Sequence, residues 1–357
     1  MSLVQSFLFK RIIRSSNCLF PKKMSFAQRL NGFDRPTVWH EFTPLANKHG
    51  AVNLGQGFPD WKCPQFAKDS IVKAVNDDFN QYCRSAGEIN LVKALAAEYS
   101  EKLGRTVDPL TEIATSVGAT ECLFAIMQAF VEPGDEVVMM EPAFDIYPAQ
   151  VQMAGGVPVT VPMVPPDPAQ VGSEWSFDLA QLESAINHRS RILLLNTPHN
   201  PTGRILSASE LEAVAAIAHK NPRLIVVCDE VYENLIFSTK GHTRLASLHG
   251  MWERTISVSS SGKTFSITGW KVGWAVGSAE LIGPIMLANQ WVQFSVSTPA
   301  QKAVADMLVI AKQPYESHAS YYEYLQVMYR AKLKVLSDAA REAGLIPLEP
   351  EVHYYRL

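Results

Sequence analysis

From about residue 109 to residue 276, short apolar runs alternate with longer amphipathic stretches. Residues 136–140 (EVVMM), 157–161 (VPVTV), 191–195 (RILLL), 224–228 (LIVVC) and 255–258 (TISV) are β-rich and too short for helices. Helical patterns lie between them, as at 208–220. After Thr120, Leu123, Ile126, Met127 and Phe130 fall at the i, i+3, i+4, i+7 spacing of one helix face. Strands that are apolar along their whole length are covered on both faces, so the pattern predicts an α/β domain with a mostly parallel sheet. Residues 162–176, rich in Pro and polar side chains, predict a loop excursion. Residues 315–344 predict one long helix, and 351–357 open a further strand-like segment.

Composition narrows the class. A chain of 357 residues, 47% of them apolar, is long enough for a sizeable core and two domains. A net charge of −3 excludes a protein held to nucleic acid by bulk charge. Cys18, Cys63, Cys83, Cys122 and Cys228 contain no C-x-x-C pair. That argues against a zinc site or a disulfide framework and for a reducing compartment. No apolar run is long enough to span a bilayer, so no membrane partner is expected. The first 33 residues carry Lys10, Arg11, Arg14, Lys22, Lys23 and Arg29 and no acid before Asp34. Basic, Ser-containing and acid-free, they predict a mitochondrial transit peptide over 1–23; translation from Met24 would leave the protein in the cytoplasm.

The candidate chemistry sits where strands end. In open α/β sheets the ligand lies beyond the carboxyl ends of the strands. Asp229 follows the run 224–228, Asn200 lies just after 191–195, and Lys263 follows the run that begins at Thr255. A lysine presented in a small polar turn can form an imine with an aldehyde cofactor, and Lys271, eight positions on, can hold that cofactor's phosphate. Pyridoxal phosphate (PLP) explains the other residue types. Its ring nitrogen must stay protonated, which Asp229 can ensure by charge pairing. The ring 3-oxygen accepts donors, which Asn200 and Tyr232 can supply. Ser116-Val-Gly118-Ala119-Thr120 opens a helix and makes an anion site, completed by Ser260 and Lys271. Phe144, after the strand ending at Met140, can stack on the ring. Each residue alone has a plainer reading: Asp229 or Thr120 as a helix cap, Asn200 as a turn residue, Lys271 as a surface charge, Phe144 as core. Ser261-Gly-Lys-Thr264 resembles the end of a P-loop, but the earlier glycine position is Ser257, so that motif fails.

Together, Asn200-Pro-Thr-Gly203, Asp229-Glu-Val-Tyr232 and Ser260-Ser-Gly-Lys263 with Lys271 resemble the class I/II aminotransferases of PLP fold type I. The resemblance runs from about Phe26 onward. Asn53-Leu-Gly-Gln-Gly57-Phe-Pro-Asp60, Met251-Trp-Glu-Arg-Thr255 and Gly262-Lys-Thr-Phe-Ser266 are similar to the kynurenine aminotransferase, glutamine transaminase K and cysteine-S-conjugate β-lyase subfamily. The resemblance implies that Lys263 holds the cofactor and moves the substrate proton. It implies substrate contacts from Gly57 and Asn200, an aromatic lining from Trp39, Tyr82 and Phe294, and a homodimer in which Tyr82 reaches the partner's phosphate. The implied activity transfers an amino group from kynurenine, glutamine or aromatic amino acids to a 2-oxo acid, with β-elimination from cysteine conjugates as a side reaction. The implied layout is residues 24–60 as the start of a small domain, 61–310 as the large cofactor domain and 311–357 as the rest of the small domain. Relatives continue further, into a segment carrying an arginine for the substrate carboxylate. Arg341 and Arg356 do not match its position, so the chain is expected to be C-terminally truncated there. The alternative expectation is an impaired PLP-binding subunit that pairs with a full-length partner.

Overall fold

The computed structural model describes residues 26–33, 36–52, 55–57, 59, 61–167, 174–238, 241–348 and 351–352. The expected leader at 1–23 lies outside them, as does most of the strand-like tail. Two compact units divide between Gly57 and Phe58. The first contains helix α1 (Val38–His49), whose start is capped by reciprocal hydrogen bonds between Thr37 and His40 and whose end turns through Gly50 at φ 60°.

The second unit is built on one sheet. Its strands are β1 (Ile113–Val117), β2 (Glu136–Glu141), β3 (Val157–Val164), β4 (Ser176–Phe177), β5 (Ser190–Asn196), β6 (Ile225–Asp229), β7 (Thr255–Ser260) and β8 (Val272–Val276). They lie in the order β1-β8-β7-β6-β5-β2-β3-β4. Pairing is parallel from β7 through β6, β5 and β2 to β3. It is antiparallel where β8 sits between β1 and β7, and where β4 adds to β3. The predicted runs form strands at their expected places. β1 and β8 were not singled out in the sequence, and β3 runs on to Val164, into the stretch expected to be loop.

Successive side chains of each strand go to opposite faces, which explains the uninterrupted apolar runs. Ile192 and Leu194 pack with Val137, Met139, Val227 and Val258 on one face; Leu193 and Leu195 pack with Val138, Met140, Val226 and Cys228 on the other. The first face is covered by α4 (Gly118–Phe130) and α9 (Ala279–Val292), through Ile126, Met127, Ile282 and Ile285. The second is covered by α7 (Ala208–Lys220), through Leu211 and Val214. A third cluster joins Leu91, Leu95 and Tyr99 of α3 (Ile89–Leu103), Val304 and Leu308 of α10 (Thr298–Ile310), and Ile113 and Trp274 of β1 and β8. Each fully buried Leu or Ile contributes roughly 1.5–3 kcal/mol of transfer free energy.

Four further helices are α2 (Gln65–Asn76), α5 (Ile146–Met153), α6 (Leu179–Ala185) and α8 (Ser261–Thr264). The last, α11, spans Tyr321–Glu342 rather than 315–344, because the Ser320 hydroxyl accepts from Glu323 N and caps it there. Ahead of that cap, Tyr315 and His318 form an isolated antiparallel bridge. The expected final strand is reduced among the described residues to a single bridge between Val352 and Ile236.

Candidate active site

Six strands point the same way: β1, β2, β3, β5, β6 and β7 end at one rim, at Val117, Glu141, Val164, Asn196, Asp229 and Ser260. β8 runs the opposite way, so it is its start that lies at this rim, and Lys271 immediately precedes it. The register makes this local: Val117 pairs with Val272, and Ser260 with Gly273.

Those pairings assemble one half of the site. Gly118 opens α4 at φ 74°, a conformation that suits glycine, and Lys271 lies against it. A Cβ built on Gly118 would sit 3.2 Å from the Lys271 ammonium nitrogen. Lys271 itself is left-handed, at φ 55° and ψ 47°, so the chain turns sharply into β8 while the side chain reaches α4. The unpaired N–H groups and positive dipole end of α4, the ammonium of Lys271 and neighbouring Ser260 therefore converge. Helix α4 starts at Gly118, not at Thr120; Thr120 is its third residue and caps nothing.

Gly273 makes this proximity possible. A Cβ there would stand 2.5 Å from the carbonyl carbon of Gly118 and 2.6 Å from Ala119 N. Both are backbone atoms and neither can move without displacing α4. Gly273→Ala is expected to destabilise the protein by roughly 1–3 kcal/mol and to weaken phosphate-ester binding. Urea midpoints and PLP titrations of the purified variant check both, and an unchanged midpoint would contradict the packing argument.

The other half is Asp229, Lys263 and their neighbours. Asp229 ends β6, is buried, and accepts from Tyr147 Oη at 2.7 Å and from Val231 N at 3.3 Å. It caps no helix: residues 231–234 form a turn. Burial raises its pKa to about 6, opposed by the Tyr147 and Val231 hydrogen bonds and by the Lys263 charge. Lys263 lies in the short helix α8, with its ammonium 5.5 Å from the Tyr232 ring centroid. Burial lowers its pKa to about 8; Lys271 lowers it further, while Asp229 acts to raise it. At pH 7 about a tenth of Lys263 is then neutral amine, against about three parts in ten thousand for an ordinary lysine.

A buried acid facing a half-buried lysine, beside a helix-terminal anion cradle, suits a planar, phosphorylated ligand with a protonated ring nitrogen. The pattern of the aminotransferase class I and II family matches residues 49–357. The chain belongs to that family. It is 44% identical to a kynurenine–oxoglutarate transaminase of Dictyostelium discoideum over 330 residues, 90% of this chain and 75% of that one. It is 39% identical to kynurenine–oxoglutarate transaminase 1 of Homo sapiens over 92% of this chain and 79% of that one. Among solved structures, N-succinyldiaminopimelate aminotransferase from Mycobacterium tuberculosis superimposes with a TM-score of 0.84 at 40% identity, covering 92% of this chain and 82% of that one. YbdL from Escherichia coli, for which a methionine aminotransferase function is described, gives 0.85 at 32% identity, covering 93% and 83%.

In this aminotransferase, Asn200 follows a loop organised by Asn196, which the sequence reading passed over. Asn196 donates to Asp229 O at 2.9 Å and Pro198 O at 3.1 Å and accepts from Asn200 N at 2.7 Å, tying the Asn200 loop to the end of β6. Its only sequence signal was an amide ending an apolar run. Tyr147 was also missed, because its partner Asp229 is 82 residues away. Phe144 is 39% exposed at the rim, edge-on to Tyr147 with centroids 5.7 Å apart, and so is not core.

The aromatic residues expected to line a substrate pocket are placed differently. Tyr82 and Phe294 form an edge-to-face pair at 5.1 Å and are 82% and 56% exposed, away from the core of this chain. Trp39 and Gly57 belong to the first unit. There Trp39, with Val38, Phe42, Leu45 and Val52, lines an apolar groove of about 450 Å³.

Behind the site lies a buried ionic cluster. Glu230 and Glu233 both bind the Arg244 guanidinium; Glu233 also accepts from Lys102 at 2.8 Å, Ser259 at 2.5 Å and Tyr99 at 3.1 Å. Tyr99 in turn accepts from Trp274 Nε1 at 3.0 Å. These bonds pin the 229–233 segment that carries Asp229 and Tyr232. No group of three or more His, Cys, Asp or Glu side chains able to hold a metal ion occurs among the described residues.

Proposed function

We propose that this aminotransferase carries PLP on Lys263 and transfers the amino group of kynurenine, glutamine or an aromatic amino acid to a 2-oxo acid. The observation that carries the reading is the convergence at one rim of Lys263, Asp229 and the Gly118–Lys271 cradle. The fit is one of chemistry: a nucleophilic amine of lowered pKa, a buried carboxylate for a ring N–H, and donors for a phosphate. Bound there, the cofactor supplies an electron-withdrawing ring that delocalises the charge left when a substrate Cα loses its proton.

The residues then have distinct tasks. Lys263 would hold the cofactor through its amine and would take and return the substrate Cα proton; its lowered pKa suits it to proton transfer near neutrality. Asp229 keeps the ring nitrogen protonated. Asn200 and Tyr232 donate toward the ring 3-oxygen. Ala119, Thr120, Ser260 and Lys271 would hold the phosphate, and Phe144 would pack against the ring. The substrate choice rests on the names of the similar transaminases and on exposed aromatics at Trp39, Tyr82 and Phe294. Tyr82 and Phe294, unburied within one chain, support a homodimer whose partner they would face. The acid-free leader supports a mitochondrial destination. Elimination of thiol from cysteine conjugates, yielding pyruvate and ammonia, is a side reaction within reach of the same proton transfer.

Incubating PLP-loaded protein with kynurenine, glutamine, phenylalanine or aspartate, each with 2-oxoglutarate, tests the substrate class. Turnover of the first three at least about tenfold faster than aspartate, read from the 2-oxo acid products by chromatography, is expected. Preference for aspartate would overturn the assignment.

A further inference from the structure

Every group so far assigned to the cofactor would touch it or balance its charge; Tyr147 would do neither. It opens α5 just after β2, is 3% exposed, and gives its hydroxyl hydrogen to Asp229 Oδ2 at 2.7 Å. The other carboxylate oxygen has a single backbone donor, Val231 N, at the longer distance of 3.3 Å. We propose that Tyr147 is a positioning residue for Asp229, its hydroxyl holding the buried carboxylate both oriented and ionised so that it can retain a protonated ring nitrogen. The inference rests on the PLP reading above and deepens it.

The surroundings of Asp229 leave few other groups for this task. Lys263 faces it from α8, and Lys271 lies ahead of β8. Glu230 and Tyr232 flank it on its own segment, and the buried Cys122 thiol faces it from α4, its pKa raised by burial and so neutral. Glu230 is engaged by Arg244. Among these, Lys263 is the cation that stabilises the carboxylate, and it is the group that gives up its free ammonium when it bonds a cofactor. Tyr147 can donate throughout the neutral range, because burial and then the Asp229 charge hold its own pKa well above the ordinary phenol value. Phe144, edge-on at 5.7 Å, fills the space beside its ring. Removing the hydroxyl leaves a buried carboxylate with one long hydrogen bond, a setting that favours the neutral acid.

The test uses full-length protein stripped of PLP: wild type, Tyr147→Phe, Asp229→Asn and the double variant. PLP dissociation constants are measured by fluorescence titration from pH 5 to pH 9. The ionisations of PLP itself are common to all four. The wild type should lose affinity on the acid side as Asp229 is protonated. In Tyr147→Phe that acid limb should move up by about one pH unit, equivalent to one charge-assisted hydrogen bond. In the Asp229→Asn background the Tyr147 change should have no further effect. Weaker binding at every pH with an unmoved acid midpoint would mark Tyr147 as packing only and overturn the proposal, as would additive losses in the double variant. If the wild type itself fails to bind PLP, or retains none on Lys263 after borohydride reduction, the PLP reading falls and the proposal with it.

Discussion

Lys263→Ala is expected to reduce amino-group transfer by roughly 10⁴-fold, the upper end of what one positioned proton-transfer group contributes. Both tasks proposed for this residue vanish together, because among the described residues no second amine occupies its place. Lys271 is also at the rim, but it lies against Gly118, where it is proposed to serve the anion cradle. Borohydride reduction followed by peptide mass spectrometry should place the pyridoxyl tag on Lys263 in the wild type and nowhere in the variant. Lys271→Ala should behave differently: it keeps the tag but needs more PLP to acquire it. A tag retained after Lys263→Ala would refute the assignment, and equal behaviour of the two variants would remove the distinction between covalent and phosphate roles.

Arg244→Met is the substitution expected to cost most in stability, about 3–5 kcal/mol. Arg244 is buried and bridges two buried carboxylates, Glu230 and Glu233. The apolar replacement fills much of its volume, so the loss is chiefly electrostatic: two acids remain, with Lys102 as the nearby cation for Glu233. Burial alone would raise the Glu233 pKa; Lys102 and Arg244 outweigh it and hold it well below its ordinary value of 4.5. The pH dependence follows from the sign of that shift. In the wild type, a depressed carboxylate contributes stability above pH 4.5, and this is lost as acid protonates it. In the variant that downward shift weakens, so its deficit should be full above pH 4.5 and shrink as the pH falls below it. Urea unfolding at pH 7 and at pH 3 reads this out. A deficit independent of pH would mean that the loss is one of packing. The segment 229–233 should also loosen, weakening PLP binding alongside stability.

The part of this protein that is legible along the chain is the part written in short-range pattern. Runs such as 191–195 and 224–228 are apolar on both alternations, which only a doubly covered strand accommodates, so the parallel centre of the sheet followed directly. Lys263, Asp229 and Asn200 were visible because each polar residue interrupts or ends such a run. The helix at Ala208–Lys220 was visible from its helical pattern, and the structure adds a Ser207–Glu210 cap at its start. Less legible were β1 and β8: with Thr115 and Ser116 in one and Gly273 in the other, neither reads as a continuous apolar run. Asp229 could be read locally as a helix cap because Glu230 and Val231 suit a helix start; the turn that replaces it is imposed by Arg244, fourteen positions beyond Glu230.

The order of residues, by itself, determined the fold class, the rim on which chemistry would fall and the lysine proposed to carry it, because strand burial and strand ends leave a local polar-apolar signature. Tertiary structure alone decided how those groups are held. The reversed β8 brings Lys271 onto Gly118, Gly273 clears the space for α4, Asn196 ties one strand end to the next, and Tyr147 reaches an acid 82 residues away. Contacts of that kind depend on strand order and direction, and neither leaves a trace in the spacing of side chains along the chain.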